Sequence, residues 1–436
     1  MKKIFFLKYI LNYKIIIKLN SFFILLYFFL LKNKKRKKVS YLVLSPKRFR
    51  GELEILKKNS NIQLLLFPEK VLNYLLIPFE NELHRSNRYY FKKSKKSKIL
   101  REKIQIYFQE VLKILFKFYD IKLMVGASCF YKRDNDFSLA GKKLGAKYIV
   151  FLRENMAPFE ISNFIKYFEG RVVTKPDLIL TQCISTSLAY KKMKIFSKVK
   201  VINFGSLRMS KFIKKIFKLR KEKIVIKNKT KKNKNIIFFS FTYNSLLEFY
   251  KNPSISSFSK EGLVYLFKNS HNHIIDYARK NQEIKLTIKT KWDKNWHDLI
   301  IKNWKKFSND KPLPKNVTLT MNGNVHQMIL KADLVISFFS TAMCEAGLRN
   351  IPIIFLYFNE IKNKFKKFID INWIKKSYFI CNDYKKIEND INFNLSNFKI
   401  SKKIRKNRDN SFEEYASILK ITNHNELVKE INKVIT

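Results

Sequence analysis

The chain has 436 residues, 46% of them hydrophobic, which is enough for two or three domains with cores of their own and excludes a disordered protein. It holds only nine glycines and no G-x-x-x-x-G-K-[ST] or G-x-G-x-x-G run, which excludes P-loop NTPases, kinases and simple Rossmann dehydrogenases. Lysine and arginine number 89 against 34 acidic residues, a net charge of +55 that attracts phosphates in nucleic acid, anionic lipid or a phosphorylated substrate.

Residues 1–38 stand apart from the rest. Residues 1–40 carry eleven basic side chains and no acidic one, around the uncharged run Leu19–Leu31 (LNSFFILLYFFLL). At ~1.5 Å per residue that run spans about 20 Å, short of the ~30 Å hydrocarbon core of a bilayer. The segment reads as a membrane-associating one, with apolar residues in the interface and lysines on anionic headgroups. The alternatives are a short transmembrane helix, or a buried helix followed by a solvated basic linker. No small-residue cleavage site marks a secretory signal. The expected location is therefore cytoplasmic and peripheral on the inner face of the cell membrane.

From residue 39 to 212, short apolar runs alternate with amphipathic stretches. Strands are expected at Tyr41–Leu44, Ile62–Phe67, Ile121–Val125, Tyr148–Leu152, Leu178–Leu180 and Val199–Ile202, with helices at Lys98–Tyr119 and Ser138–Leu144. Such alternation reads as parallel βαβ units. Residues 213–235 (IKKIFKLRKEKIVIKNKTKKNKN) read as a solvated, lysine-rich linker. The pattern resumes over residues 236–436 with strands at Ile236–Phe239, Lys285–Ile288, Val317–Thr320, Leu334–Phe338 and Ile351–Leu356, and a closing helix over Phe412–Ile435. The expected fold class is α/β, as two Rossmann-like doubly wound domains facing a cleft.

Cys129, Cys183, Cys344 and Cys381 form no C-x-x-C pair, and the six histidines form no H-E-x-x-H, so neither a disulfide framework nor a metal site is expected. His271 and His273, in the polar run NSHNH, are expected to be exposed. Asp134-Asn135-Asp136 has a D-x-D spacing that recurs by chance and is read as a loop.

Residues 324–356 are the most informative. A helix at Val325–Lys331 leads through Asp333 into a buried strand, then to Ser340-Thr341, a helix carrying Glu345, and a second strand after Pro352. Ser340 is a natural N-cap, which aims helix amides and the positive end of the helix dipole beyond the strand end. Thr341 and Glu345, four residues apart, share a helix face. A phosphate at the helix start and a ribose diol on the carboxylate one turn later would suit that face.

The run ADLVISFFSTAMCEAGLRNIPIIF resembles the donor-nucleotide motif of GT-B glycosyltransferases, and within them the enzymes of bacterial capsule and surface-carbohydrate biosynthesis. The match falls on Ser337, Ser340, Thr341, Glu345 and Pro352. The resemblance implies phosphate contacts from Ser340 and Thr341, ribose contacts from Glu345, and transfer of a sugar from a nucleotide-sugar donor to a polysaccharide or lipid-linked acceptor without a metal or cofactor. His326, on the helix before the strand, joins the donor set. Lys289 and Lys291 stand where the family often has a basic residue followed by His-Pro, and here the His-Pro is missing. Val172–Phe212 resembles the end of the family's acceptor domain, with Leu207 in place of the usual proline of a GSPR-like turn.

The catalytic base is expected from the amino-terminal domain. Glu154 follows the strand YIVFL, at a strand end where α/β crevices are lined. Arg48, Arg50 and Arg153 are expected on the acceptor or its phosphate. Two other functions compete. A non-hydrolysing UDP-sugar 2-epimerase shares the fold but usually carries an Arg-x-x-Thr-Glu-Arg-Pro run where this chain has NEIKNKFKKF. A non-catalytic basic protein that binds membrane or RNA is the other. The expected partners are a nucleotide sugar, a glycan acceptor and an anionic membrane surface, without nucleic acid.

Overall fold

In the computed structural model the described residues are 15–24, 26–28, 39–49, 52–57, 61–79, 95–130, 132–152, 161, 162, 165, 169, 174–221, 233–241, 253–290, 294–338, 340–359, 372–420 and 424–435. They build two parallel six-stranded sheets with helices around them.

The amino-terminal sheet comprises β1 (Val39–Leu44), β2 (Ile62–Phe67), β3 (Ile121–Gly126), β4 (Lys147–Phe151), β5 (Leu178–Thr181) and β6 (Lys200–Asn203), in the order β2-β1-β3-β4-β5-β6. Between them run α1 (Glu52–Leu56), α2 (Glu69–Leu75), α3 (Lys95–Phe118), α4 (Lys132–Lys143) and α5 (Ile184–Lys192). These strands read as near-continuous apolar runs because both faces of the sheet are covered. Leu42, Leu44 and Met124 enter one core, while Tyr41, Val43 and Leu123 enter the other. After β6, helix α6 (Ser210–Lys221) leads away.

The carboxy-terminal sheet comprises β7 (Lys234–Phe239), β8 (Ile284–Lys289), β9 (Val317–Thr320), β10 (Leu334–Ser337), β11 (Ile353–Leu356) and β12 (Phe379–Cys381). Its helices are α7 (Pro253–Lys280), α8 (Asn295–Phe307), α9 (Val325–Lys331), α10 (Thr341–Gly347), α11 (Asn372–Lys375), α12 (Ile387–Asn397), α13 (Lys402–Tyr415) and α14 (His424–Ile435). The order β12-β11-β10-β7-β8-β9 means that the chain winds outward from β7 to β9 and then returns to the other side of β7. The reversal falls between β7 and β10, and in the first sheet between β1 and β3. In open α/β sheets ligands bind beyond the carboxyl ends of the strands at such crossovers.

Three expectations change. Residues 213–221 are not a solvated linker, because they belong to α6, whose Phe212, Ile213 and Ile216 are buried in the carboxy-terminal core. Arg220 fastens that helix to the second half, donating to the Leu348 carbonyl at 2.8 Å and to Asp409 at 2.8 Å. The closing helix is not continuous from Phe412 to Ile435. It breaks after α13, where the Ser206 amide donates to Ser417 Oγ at 2.7 Å and the Ile418 amide to the Gln182 carbonyl. Helix α14 then seats Leu427 and Ile431 in the amino-terminal core beside Tyr41 and Val43. Each half is thus completed by a helix from the other side of the chain's crossing points.

The Asp134–Asp136 run is not a loop but lies in the first two turns of α4. Asp136 is fully buried, accepting from Arg101 at 3.0 Å and Gln105 at 2.8 Å, and burial pushes its carboxyl well up. Among the described residues no group of three His, Cys, Asp or Glu side chains is placed to hold a metal ion. All four cysteines are buried thiols. No helix of the described residues is long and apolar enough to cross a membrane.

Candidate functional site

The crossover of the carboxy-terminal sheet is built from the ends of β7 and β10. At the amino ends of the two strands Asp333 accepts from the Asn235 amide at 2.8 Å, which sets their register. At their carboxyl ends, β10 finishes in Ser337, whose buried Oγ has no hydrogen-bond partner among the described residues. Ser340 then caps α10 as expected, its Oγ accepting from the Ala342 amide at 3.3 Å. Thr341, half-buried, opens the helix, and Glu345 lies one turn on with 2% exposure.

The Glu345 carboxylate is a junction between the halves. Its Oε2 lies 3.0 Å from His326 Nε2 on α9, and its Oε1 lies 3.5 Å from an Arg208 Nη that comes from the turn after β6. Phe212, the next turn along that segment, stacks on the His326 ring at 4.4 Å and 12°. Carboxyl ends of both sheets therefore meet at Arg208.

Three more arginines hold α10 and its surroundings still. Arg349 Nη1 donates to the Ile329 carbonyl at 2.6 Å and to the Ala332 carbonyl, closing the end of α9 and so fixing the helix that carries His326. Burial lowers its guanidinium to about 10. Arg220 takes the Leu348 carbonyl, and Arg408 donates to the Ile351 carbonyl at 2.7 Å. At Gly347 a β-carbon would stand 3.1 Å from the Tyr378 hydroxyl, so only glycine lets α10 lie this close to its neighbours without their giving way.

On the amino-terminal side, a small recess of about 10 Å3 lies at the strand ends, lined by Arg48, Glu52, Ala127, Phe151, Gln182 and Arg208 among others. Gln182 donates to the Leu152 carbonyl at 2.9 Å while its buried Oε1 has no partner among the described residues. Arg48 is anchored there by Glu69 at 2.7 Å and faces Asp134 at 3.8 Å.

The expected residues divide accordingly. Ser340, Thr341, Glu345 and His326 are brought together, and Arg48 lines the pocket that Arg208 shares. Lys289 pairs with Phe239 at the carboxyl end of β8, its ammonium donating to the carbonyls of Met321 at 2.7 Å and Thr290 at 3.0 Å. Arg50, Arg153, Glu154 and Lys291 lie outside the described residues. Arg208, Glu52 and Arg349 are additions. The signal for Arg208 was its place in GSLRMS, the turn that closes the first half.

His271 is fully buried rather than exposed. Its Nδ1 donates to the Phe267 carbonyl at 2.6 Å, which leaves Nε2 to accept from the Ser240 hydroxyl at 2.8 Å, at the end of β7. Burial lowers its pKa to about 4, against an ordinary 6.5. The unfolded chain therefore binds the proton more readily, and the stability this site holds above pH 6.5 is lost as pH falls towards 4. Between pH 7 and 4.5 the wild type should lose about 2–3 kcal/mol more than His271→Asn in urea unfolding. Equal losses would contradict a neutral buried imidazole.

No protein family and no curated protein matches this chain. Solved structures do resemble it. A UDP-GlcNAc 2-epimerase from Neisseria meningitidis bound to UDP-GlcNAc is 13% identical, with a TM-score of 0.47 over 91% of this chain and 99% of that one. A glycosyltransferase from Rickettsia africae ESF-5 is 12% identical, with a TM-score of 0.47 over 92% and 99%. A UDP-forming α,α-trehalose-phosphate synthase from Burkholderia vietnamiensis is 8% identical, with a TM-score of 0.46 over 91% and 97%.

Proposed function

We propose that this chain binds a nucleoside diphosphate sugar at the β7/β10 crossover and transfers the sugar to a surface-polysaccharide or lipid-linked acceptor held by the amino-terminal half. The observation that carries the reading is Glu345, a buried carboxylate on the helix after β10 that pairs with Arg208 from the opposite half. A carboxylate offers about four acceptor positions, and His326 and Arg208 are among the partners of this one. The 3.5 Å Arg208 contact is the looser, and Arg208 retains 22% side-chain exposure. When the donor enters, Arg208 turns to the diphosphate and the freed oxygen accepts from a ribose hydroxyl. Ser340 and Thr341 bind the phosphates.

In the reaction the acceptor oxygen bonds to the anomeric carbon, the bond from that carbon to the diphosphate oxygen breaks, and the acceptor proton passes to a carboxylate. Arg208 offsets the charge that develops on the departing diphosphate. Two carboxylates of the first half suit the base, Glu154 by its place after β4 and Glu52 by its place in the pocket beside Arg208.

Epimerisation at C2 of a UDP sugar is the alternative reaction for this fold and site. Proton NMR of the full chain in deuterated buffer separates the two, using UDP, GDP, CDP and CMP sugars with and without a membrane extract as acceptor source. Acceptor-dependent release of nucleotide is the expected result. Deuterium entering at C2 without any release would replace transfer by epimerisation, and no change to any donor would overturn both.

A further inference from the structure

The apolar segment near the amino terminus has two faces. Residues 15–24 and 26–28 are helical. One face belongs to the amino-terminal core: Ile24 and Phe28 are 2% and 0% exposed, Phe28 meets Phe67 and Tyr119 at 6.0 and 6.2 Å, and Asn20 donates to the Tyr107 hydroxyl at 2.7 Å. The other face carries Ile15, Leu19, Phe22, Phe23 and Leu26, exposed by 51, 51, 58, 51 and 36%. Their spacing of four, three, one and three residues puts them on a single stripe. A soluble chain gains nothing by leaving such a stripe in water, and stripes of this kind mark contact surfaces.

We infer that this stripe is a membrane-docking face, built into the acceptor half, that lies in the interface of an anionic bilayer. The choice of occupant rests on charge. Exposed Lys18 lies within the stripe's length, and residues 1–14 and 29–38, which flank it in sequence, supply the other ten basic side chains of the eleven, with no acidic residue among them. Two large aromatic side chains entering the interface and lysines meeting phosphate headgroups are the combination that holds interfacial helices. The helix cannot also cross the bilayer, because Ile24, Phe28 and Asn20 would have to leave the core they complete. The stripe is thereby rigidly joined to the sheet whose strand ends line the recess between Arg48 and Arg208, which, on the transfer reading proposed above, fits an acceptor drawn from the membrane surface. The inference does not depend on the reaction, so it is tested without an activity assay.

The test is flotation of the full chain with vesicles of phosphatidylcholine containing phosphatidylglycerol, and with phosphatidylcholine alone, comparing wild type with Phe22→Asp/Phe23→Asp. Both side chains are more than half exposed, so the double variant should melt like wild type. Wild type should float with the anionic vesicles and be released by high salt. The variant should lose at least ~10-fold in partitioning, since each phenylalanine contributes the transfer of a large apolar side chain. Three results would overturn the inference. Wild type staying in the supernatant at low salt, with a variant that melts markedly lower, would assign the face to packing within the chain. Absence of flotation with a dimer that the variant dissociates would assign it to a second copy. Flotation undiminished in the variant would move the contact off this stripe.

Discussion

Glu345→Ala should weaken binding of the donor nucleotide by roughly 100-fold, with Glu345→Gln falling between it and wild type. The magnitude comes from the bonds at stake. A hydrogen bond to a charged group contributes about 1.5–3 kcal/mol, and a ribose diol offers two hydroxyls to one carboxylate, so about 2.7 kcal/mol is a modest sum. Arg208 retains 22% side-chain exposure and can turn to solvent when its partner is removed, which limits the damage to the fold. His326 keeps its stacking on Phe212. The check is a titration of each variant with the nucleotide, beside a melt showing that the variant is folded. An unchanged dissociation constant would remove Glu345 from the site.

The largest effect on stability is expected at Arg408. Its side chain is 1% exposed, donates to the carbonyls of Ser377 at 2.9 Å and Ile351 at 2.7 Å, and lies over the rings of Tyr378 and Phe398 at 5.4 and 5.3 Å. Burial lowers its pKa to about 10, which still leaves it charged at neutral pH. The guanidinium is thus compensated by carbonyls and ring faces rather than by water. Alanine would leave two buried carbonyls without their donor and a cavity the size of a long side chain. The expected cost is about 3–5 kcal/mol. Arg408→Met, which keeps the volume but not the donors, should lose about half of that. Urea unfolding measures both, and a loss below ~1 kcal/mol for alanine would mean that the carbonyls find other donors. Because Ile351 follows α10, the same change should loosen the seat of Glu345.

Much of this was legible in the chain. Parallel strands covered on both faces must be apolar along their whole length, which is why runs such as IQLLLF and ADLVISF declare themselves. The Ser340 cap and the Thr341–Glu345 face were legible because capping and helical spacing are local. The pairing of Arg208 with Glu345 was not, since the two lie 137 residues apart and no local pattern couples them. β12, at three residues, is too short to raise a signal.

His271 was misread because NSHNH looks polar. The signal was present at longer range, in Leu263, Phe267, His271, Ile274 and Ala278, which repeat at helical spacing along α7 and are all buried. The seat of α14 on the first half was hidden for a different reason. An amphipathic helix announces that it has a buried face but not which core will take it.

The proposed transfer requires a nucleotide seated at the β7/β10 crossover against Glu345. The direct measurement is thermal unfolding of the full chain with UDP, GDP, CDP and CMP in turn, for wild type and Glu345→Ala. Ligand at ~100-fold its dissociation constant stabilises the native state by about 2.7 kcal/mol, which a melt resolves. One nucleotide should raise the melting temperature of wild type, and the rise should vanish in a Glu345→Ala protein that still melts cooperatively. No rise with any nucleotide, or a rise that survives the substitution undiminished, would contradict the site.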